Sequence, residues 1–114
     1  MSSLKIDCEE LPEKILRLKL SGYLDTHNYA KLETLFEQKL QQGFNRFVVE
    51  LSQLEYISSA GAGVFIGAAT TAQESQGDIV LVRPSPEVQE IFELLGVLQI
   101  FRVVKDEREA IAQF

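Results

Sequence analysis

Hydrophobic and polar residues alternate from the start of the chain. Leu4, Ile6 and Cys8 are interleaved with Lys5, Asp7 and Glu9, and Leu16, Leu18 and Leu20 with Arg17 and Lys19. A period of two predicts two strands, each with one wet face. The short join holds Pro12, so a hairpin is expected, with Cys8 as a small hydrophobe of its inner face. Gly22-Tyr23-Leu24-Asp25 reads as a turn into a helix, for which Asp25, Thr26 and Asn28 are the candidate caps. Tyr29, Leu32, Leu35, Phe36 and Leu40 then recur at helical spacing opposite Lys31, Glu33, Glu37 and Lys39, and Gly43 is the expected stop.

The pattern changes at Phe47. Phe47, Val48, Val49 and Leu51 form a nearly continuous apolar run, as a strand covered on both faces of a parallel sheet requires, and Ile79–Val82 repeats it. Between these runs, Ser58-Ser59 precede a helix of small and apolar residues expected to reach about Gln76 and to end at Gly77. Ser85-Pro86 supplies an N-cap and a first helical position for a third helix. Val88, Ile91, Phe92 and Leu95 form its apolar face and Gly96 its end. Ile100–Val104 reads as a last strand. Asp106 with Glu109 resembles a capping box opening a terminal helix that contains Ala110 and Ile111. The predicted order is β-β-α-β-α-β-α-β-α. It implies an α/β fold with right-handed crossovers, a mixed but largely parallel sheet and about four packed helices.

Length and charge narrow the function. The chain has 114 residues, a net charge of −6 and 46% hydrophobic residues, which suits one domain over 1–114 and leaves no room for a second. The basic residues are dispersed, so nucleic acid is not an expected partner. The single cysteine excludes an internal disulfide framework, and the single histidine, His27, excludes most zinc sites. MSSLKIDCEE carries no secretory pattern, and Ala60–Ala69 is far short of the roughly 20 apolar residues that span a bilayer. A cytoplasmic protein without metal, cofactor or membrane insertion is expected.

The most informative stretch runs from Leu54 to Phe65. Adjacent serines stand where a buried strand gives way to a helix, beside the unsatisfied amides of its first turn. Simple N-capping by Ser58 or Ser59 is the plain reading. The glycines that follow argue for more. Gly61, Gly63 and Gly67 lie within the first turns of a helix, where each costs about 1 kcal/mol against alanine. Small residues would let the helix lie close on the sheet. They would also leave a flat helix start open to another protein.

Three catalytic or ligand-binding readings fit less well. Gly61, Gly63 and Gly67 mimic a dinucleotide fingerprint, but the last glycine is one residue late and the chain has room for about one mononucleotide-binding half. No lysine follows as a P-loop needs. A nucleophile elbow would require glycine at position 57, where Ile57 stands. The strand ends also lack the acidic set that would hold magnesium around a phosphoacceptor aspartate. The chain is therefore not expected to be an enzyme.

Along nearly its whole length the sequence resembles the STAS domain, shared by sulfate-transporter C-termini and bacterial anti-sigma factor antagonists. The resemblance rests on the Gly22-x-Leu24-Asp25 turn, the strand Phe47–Leu51 and Tyr56-Ile57-Ser58-Ser59-Ala60-Gly61. It continues through Ser85-Pro86-Glu87-Val88, Leu94-Leu95-Gly96, Ile100-Phe101 and the acidic terminal helix. It implies a partner-switching regulator, a binding module rather than an enzyme. In that family the phosphoacceptor lies in a D-S-S/T-G-L or S-S-A-G-L motif. Aligned on the glycine, Ser58 takes the usual Asp position and Ser59 the phosphoacceptor, with Ser58 as the alternative acceptor. The implied partners are an anti-sigma factor with a GHKL-type serine kinase fold and a PP2C-type phosphatase. The implied contact set is Asp25, Thr26, Ser58, Ser59, Ala60, Gly61 and Ala62.

Two departures stand out. Ala62 replaces the family's leucine after the glycine, which softens the packing of the motif. Ser58 replaces the acidic residue, which removes a charge beside the acceptor. Some stand-alone STAS proteins are subunits of lipid-trafficking ABC transporters, and a docking subunit of that kind is the second function the resemblance allows.

Overall fold

The opening alternation folds as a hairpin. β1 (Leu4–Leu11) pairs antiparallel with β2 (Ile15–Leu24) across a 3-10 turn, Pro12–Lys14. A computed structural model describes residues 3–114. The chain continues through α1 (Tyr29–Gln41), β3 (Arg46–Ile57), α2 (Ser59–Glu74), β4 (Asp78–Val82) and α3 (Pro86–Leu95). After a second 3-10 turn, Val97–Gln99, come β5 (Arg102–Val104) and α4 (Glu107–Ile111). The sheet order is β1-β2-β3-β4-β5, and every pair after the first is parallel. The predicted order and mixed sheet are thus both observed.

The two sheet faces are covered unequally. Leu16, Leu18, Leu20, Phe47, Val49, Leu51, Ile79 and Leu81 share one core with buried residues of α1, α2 and α3. Phe36 links its layers, meeting Phe47 edge-on at 5.2 Å and Phe65 at 6.0 Å. On the other face Ile15, Val48, Val80, Val82 and Val104 pack with Ala110 of the short α4. This two-sided burial is why the β3 and β4 sequences are apolar without alternation.

Several boundaries differ from the sequence pattern. β2 and β3 run on through Gly22–Leu24 and Leu54–Ile57, which the pattern placed in a turn and beyond a strand. The cause is a pair of irregularities between Lys19 and Ser21 and between Gly22 and Tyr23, each adding one residue to β3. Each extra residue reverses which side chains face inward. The inward set therefore steps Leu51, Leu54, Ile57, three residues at a time. Cys8 pairs with the core residue Leu18 and so lies on the expected inner face, but it is exposed there rather than packed. It lies on the edge strand, where cover declines from buried Leu4 through half-buried Ile6. Gln76, not Gly77, takes the left-handed conformation after α2, with φ 67°. The last strand begins at Arg102, and Leu95 and Ile100 are exposed. At α4, Asp106 accepts from the Glu109 amide at 2.8 Å, but the Glu109 carboxylate accepts from the Lys105 amide, so the box is not reciprocal.

One ion pair makes a pH prediction. Glu50 is buried on the α4 side and accepts from Arg83 Nε at 3.1 Å and from the Ser52 amide at 3.0 Å. Burial pulls its carboxyl upward, but the Arg83 and Ser52 hydrogen bonds outweigh it and hold it below its ordinary value of 4.5. A depressed carboxyl stabilises the fold above its unfolded pKa, and the contribution is lost as pH falls through the folded one. Glu50→Gln should lower the urea midpoint at pH 7, and the gap to wild type should shrink as pH falls below the ordinary carboxyl value of 4.5. A gap that persists undiminished in acid would refute the assignment.

Candidate functional site

The end of the extended β2–β3 pair builds the site. The Ser58 amide donates to the Leu24 carbonyl at 2.8 Å, which ties the start of α2 to the loop that opens at Asp25. The two adjacent serines then separate in role. Ser58 has extended backbone, is buried, and its Oγ accepts from the Gly61 amide at 3.1 Å. It is the N-cap. Ser59 is the first residue of α2 and is exposed. A negative charge at this first helical position is favoured by the helix dipole.

Gly61 explains how the helix reaches this position. A Cβ there would lie 2.7 Å from Leu24 Cγ and 3.2 Å from Ile57 Cγ1. The helix start thus rests directly on the strand ends that carry the loop and the serines. Gly61 is already inside the helix with its amide bonded to Ser58 Oγ, not at a phosphate-binding turn, so packing accounts for this glycine of the three. Gly63 and Gly67 face open space. Ala60 is half-buried and Ala62 buried, so Ala60 lies at the surface with Ser59 while Ala62 faces the core.

Asp25 and Thr26 do not cap α1. The Asp25 carboxylate accepts from the His27 amide at 2.9 Å, and the Asp25 amide donates to Asn28 Oδ1 at 2.9 Å. Asn28 also donates to the Tyr23 carbonyl at 2.8 Å, and it occupies the N-cap position without a side-chain cap bond. These bonds form a tight loop that presents exposed Thr26 and half-buried Asp25 next to the Leu24–Ser58 junction. The structure therefore brings Asp25, Thr26, Ser58, Ser59, Ala60 and Gly61 to one end of the sheet.

Sequence reading missed two neighbours of this site. Tyr23 and Tyr56 are paired in register and exposed at 40% and 42%, with ring centroids 6.4 Å apart. The three-residue spacing of Leu51, Leu54 and Ile57 is the signal that turns Tyr56 outward. Among the described residues, no group of three or more His, Cys, Asp or Glu side chains could hold a metal ion, and no helix is long and apolar enough to cross a membrane.

A five-stranded mixed sheet with three helices on one face, one on the other, and a helix start capped by Ser58 that presents Ser59 defines a small α/β domain. The chain belongs to the STAS domain family, whose pattern matches residues 6–110. It is 37% identical over 95 residues to BtrV of Bordetella bronchiseptica, a proposed anti-sigma factor antagonist, covering 83% of this chain and 82% of that one. The unphosphorylated form of the anti-sigma factor antagonist SpoIIAA superposes with a TM-score of 0.84 at 23% identity, covering 96% and 95% of the two chains. The phosphorylated form of the Bacillus protein SpoIIAA superposes at 0.76, also at 23% identity, covering 96% and 98%.

Proposed function

We propose that the protein is an anti-sigma factor antagonist that releases its partner when Ser59 is phosphorylated. The observation that carries this reading is the division of labour between the serines: Ser58 is committed to the cap and Ser59 offers its hydroxyl to solvent. The relative BtrV, covered over most of its length, supports the same reading by its name. In the unmodified state the surface formed by Asp25, Thr26, Ser59 and Ala60 holds an anti-sigma factor with a GHKL-type serine kinase fold, while the buried Ser58 and Gly61 shape it from beneath and Ala62, which faces the core, drops out of the expected contact set. The cognate sigma factor is then free. With an ATP-dependent partner, the switch works in the cytoplasm.

The chain supplies an acceptor and no catalyst. Ser59 Oγ attacks the γ-phosphorus of ATP bound by the kinase, its proton passes to a kinase base, and ADP leaves. A PP2C-type phosphatase hydrolyses the ester, returning Ser59 and inorganic phosphate. Phosphate adds about −1.5 to −2 charge. The first-turn amides of α2 tolerate that charge, so the fold persists while the contact surface changes.

Incubation with ATP and the anti-sigma factor kinase of its own genome should add one phosphate to the intact mass. Ser59→Ala should abolish the gain. Ser58→Ala should keep it while lowering stability by about 1 kcal/mol through loss of the cap. Transfer to Ser59 by no serine kinase of that genome would reject the reading.

A further inference from the structure

The two added residues of β3 do more than lengthen the strand. Beyond Glu50–Val82, β3 has no β4 neighbour, and Ser85 Oγ donates to the Leu54 carbonyl at 2.7 Å in its place. This opens a cleft of about 400 Å³ between the β3 extension and the start of α3, lined by Tyr23, Ser52, Gln53, Glu55, Ser85 and Glu87. Glu55 and Glu87 make no ion pair among the described residues, and no Lys, Arg or His lines the cleft. Tyr56 stands against Tyr23, which lines it, with ring centroids 6.4 Å apart.

We propose that this cleft receives an arginine side chain of the anti-sigma factor kinase, and so sets which kinase the protein accepts. The inference rests on the proposed function, because it takes the partner to be the kinase that engages Ser59. Tyr56 is three residues from Ser59, Tyr23 is two from Asp25, and the Ser58–Leu24 hydrogen bond joins the two strands at that point. A protein seated over Ser59 therefore covers the tyrosine pair as well.

The lining selects the occupant. An apolar side chain would strip water from two carboxylates without replacing it, and an acidic one would be repelled. A guanidinium stacks on a tyrosine face and forks to a carboxylate, which a lysine ammonium cannot do in the same geometry. Exposed tyrosines and arginines are also the residue types over-represented among energetically dominant interface contacts.

The test uses the kinase that phosphorylates Ser59, with binding measured by calorimetry at low and high salt. The double variants Tyr23→Ala/Tyr56→Ala and Glu55→Gln/Glu87→Gln should each raise Kd by about tenfold or more. In single-turnover phosphate transfer the loss should fall on the concentration dependence and not on the maximal rate. The Gln pair is isosteric and exposed, so it separates docking from folding, and its penalty should shrink at high salt. Arg→Ala scanning of the kinase should find one arginine whose loss is non-additive with Glu55→Gln/Glu87→Gln. A kinase that phosphorylates Ser59 yet binds both double variants as tightly as wild type overturns the inference and leaves the proposed function standing. So does a penalty coupled to no arginine. A free-protein dimer that Tyr23→Ala/Tyr56→Ala dissociates would assign the cleft to a second copy, overturning it too. If the kinase does not bind or modify the wild-type protein at all, the proposed function fails and this inference with it.

Discussion

Ser59→Asp should fold as wild type does and bind the anti-sigma factor kinase about a hundredfold more weakly, a loss of about 2.7 kcal/mol. The first half follows from position. Residue 59 opens a 16-residue helix whose N-cap, Ser58, keeps its own bond to the Gly61 amide. An acidic side chain in a first turn is favoured by the helix dipole by about 0.3 to 1 kcal/mol. Thermal stability should therefore hold or rise slightly. The second half follows from the chemistry of transfer. An acceptor hydroxyl must come within reach of the γ-phosphorus, so a charge placed on it faces the phosphates of the kinase-bound nucleotide in a site from which water is excluded. Phosphorylated wild-type protein, with the larger charge, should bind more weakly still. Retention of the kinase within fivefold by Ser59→Asp would remove the switch. Co-purification with the ATPase subunit of a membrane transporter, unchanged by Ser59→Asp, would instead favour the docking-subunit function.

The elements were legible where one physical rule governed a whole segment. Continuous apolar runs at Phe47–Leu51 and Ile79–Val82 suggested strands covered on both faces, and both are. Ser85-Pro86 could only open a helix, and Ser85 does accept from the Val88 amide. Position along the sheet was not legible. Cys8 continues the alternation of Leu4 and Ile6, but there an open groove, lined also by Lys31, Thr34, Leu35 and Gln38 of α1, separates the edge strand from the helix. The site was half legible. Two serines before a helix announce a cap, yet which one is buried depends on the Leu24–Ser58 bond, a contact between segments far apart in sequence. The Tyr23–Tyr56 pair was hidden because Leu51, Leu54 and Ile57 mimic helical spacing. On a strand that spacing means two extra residues, and only the register against β2 distinguishes the two cases.

Alanine at the glycines of this fold should act in opposite directions. Gly77 precedes β4, and a Cβ there would overlap the backbone carbonyl oxygen of Asn45. That same oxygen accepts from the Asp78 amide at 2.9 Å where the β3–β4 register begins. Backbone cannot yield as a side-chain tip can, so Gly77→Ala should cost about 3 kcal/mol or more. At Gly61 the added methyl meets Leu24, which is fully buried and has nowhere to turn. Overpacking of about 1 to 3 kcal/mol is offset by a helix-propensity gain of about 1, leaving a net loss of about 1 kcal/mol. Gly63 and Gly67 have no atom within 4 Å of an added Cβ. Each alanine there should recover about 1 kcal/mol of helix propensity and raise the melting midpoint by about 4 °C. Calorimetry of the four single variants reads all four signs. If Gly63→Ala and Gly67→Ala fail to stabilise the free protein, the exposed face of α2 is not open in solution.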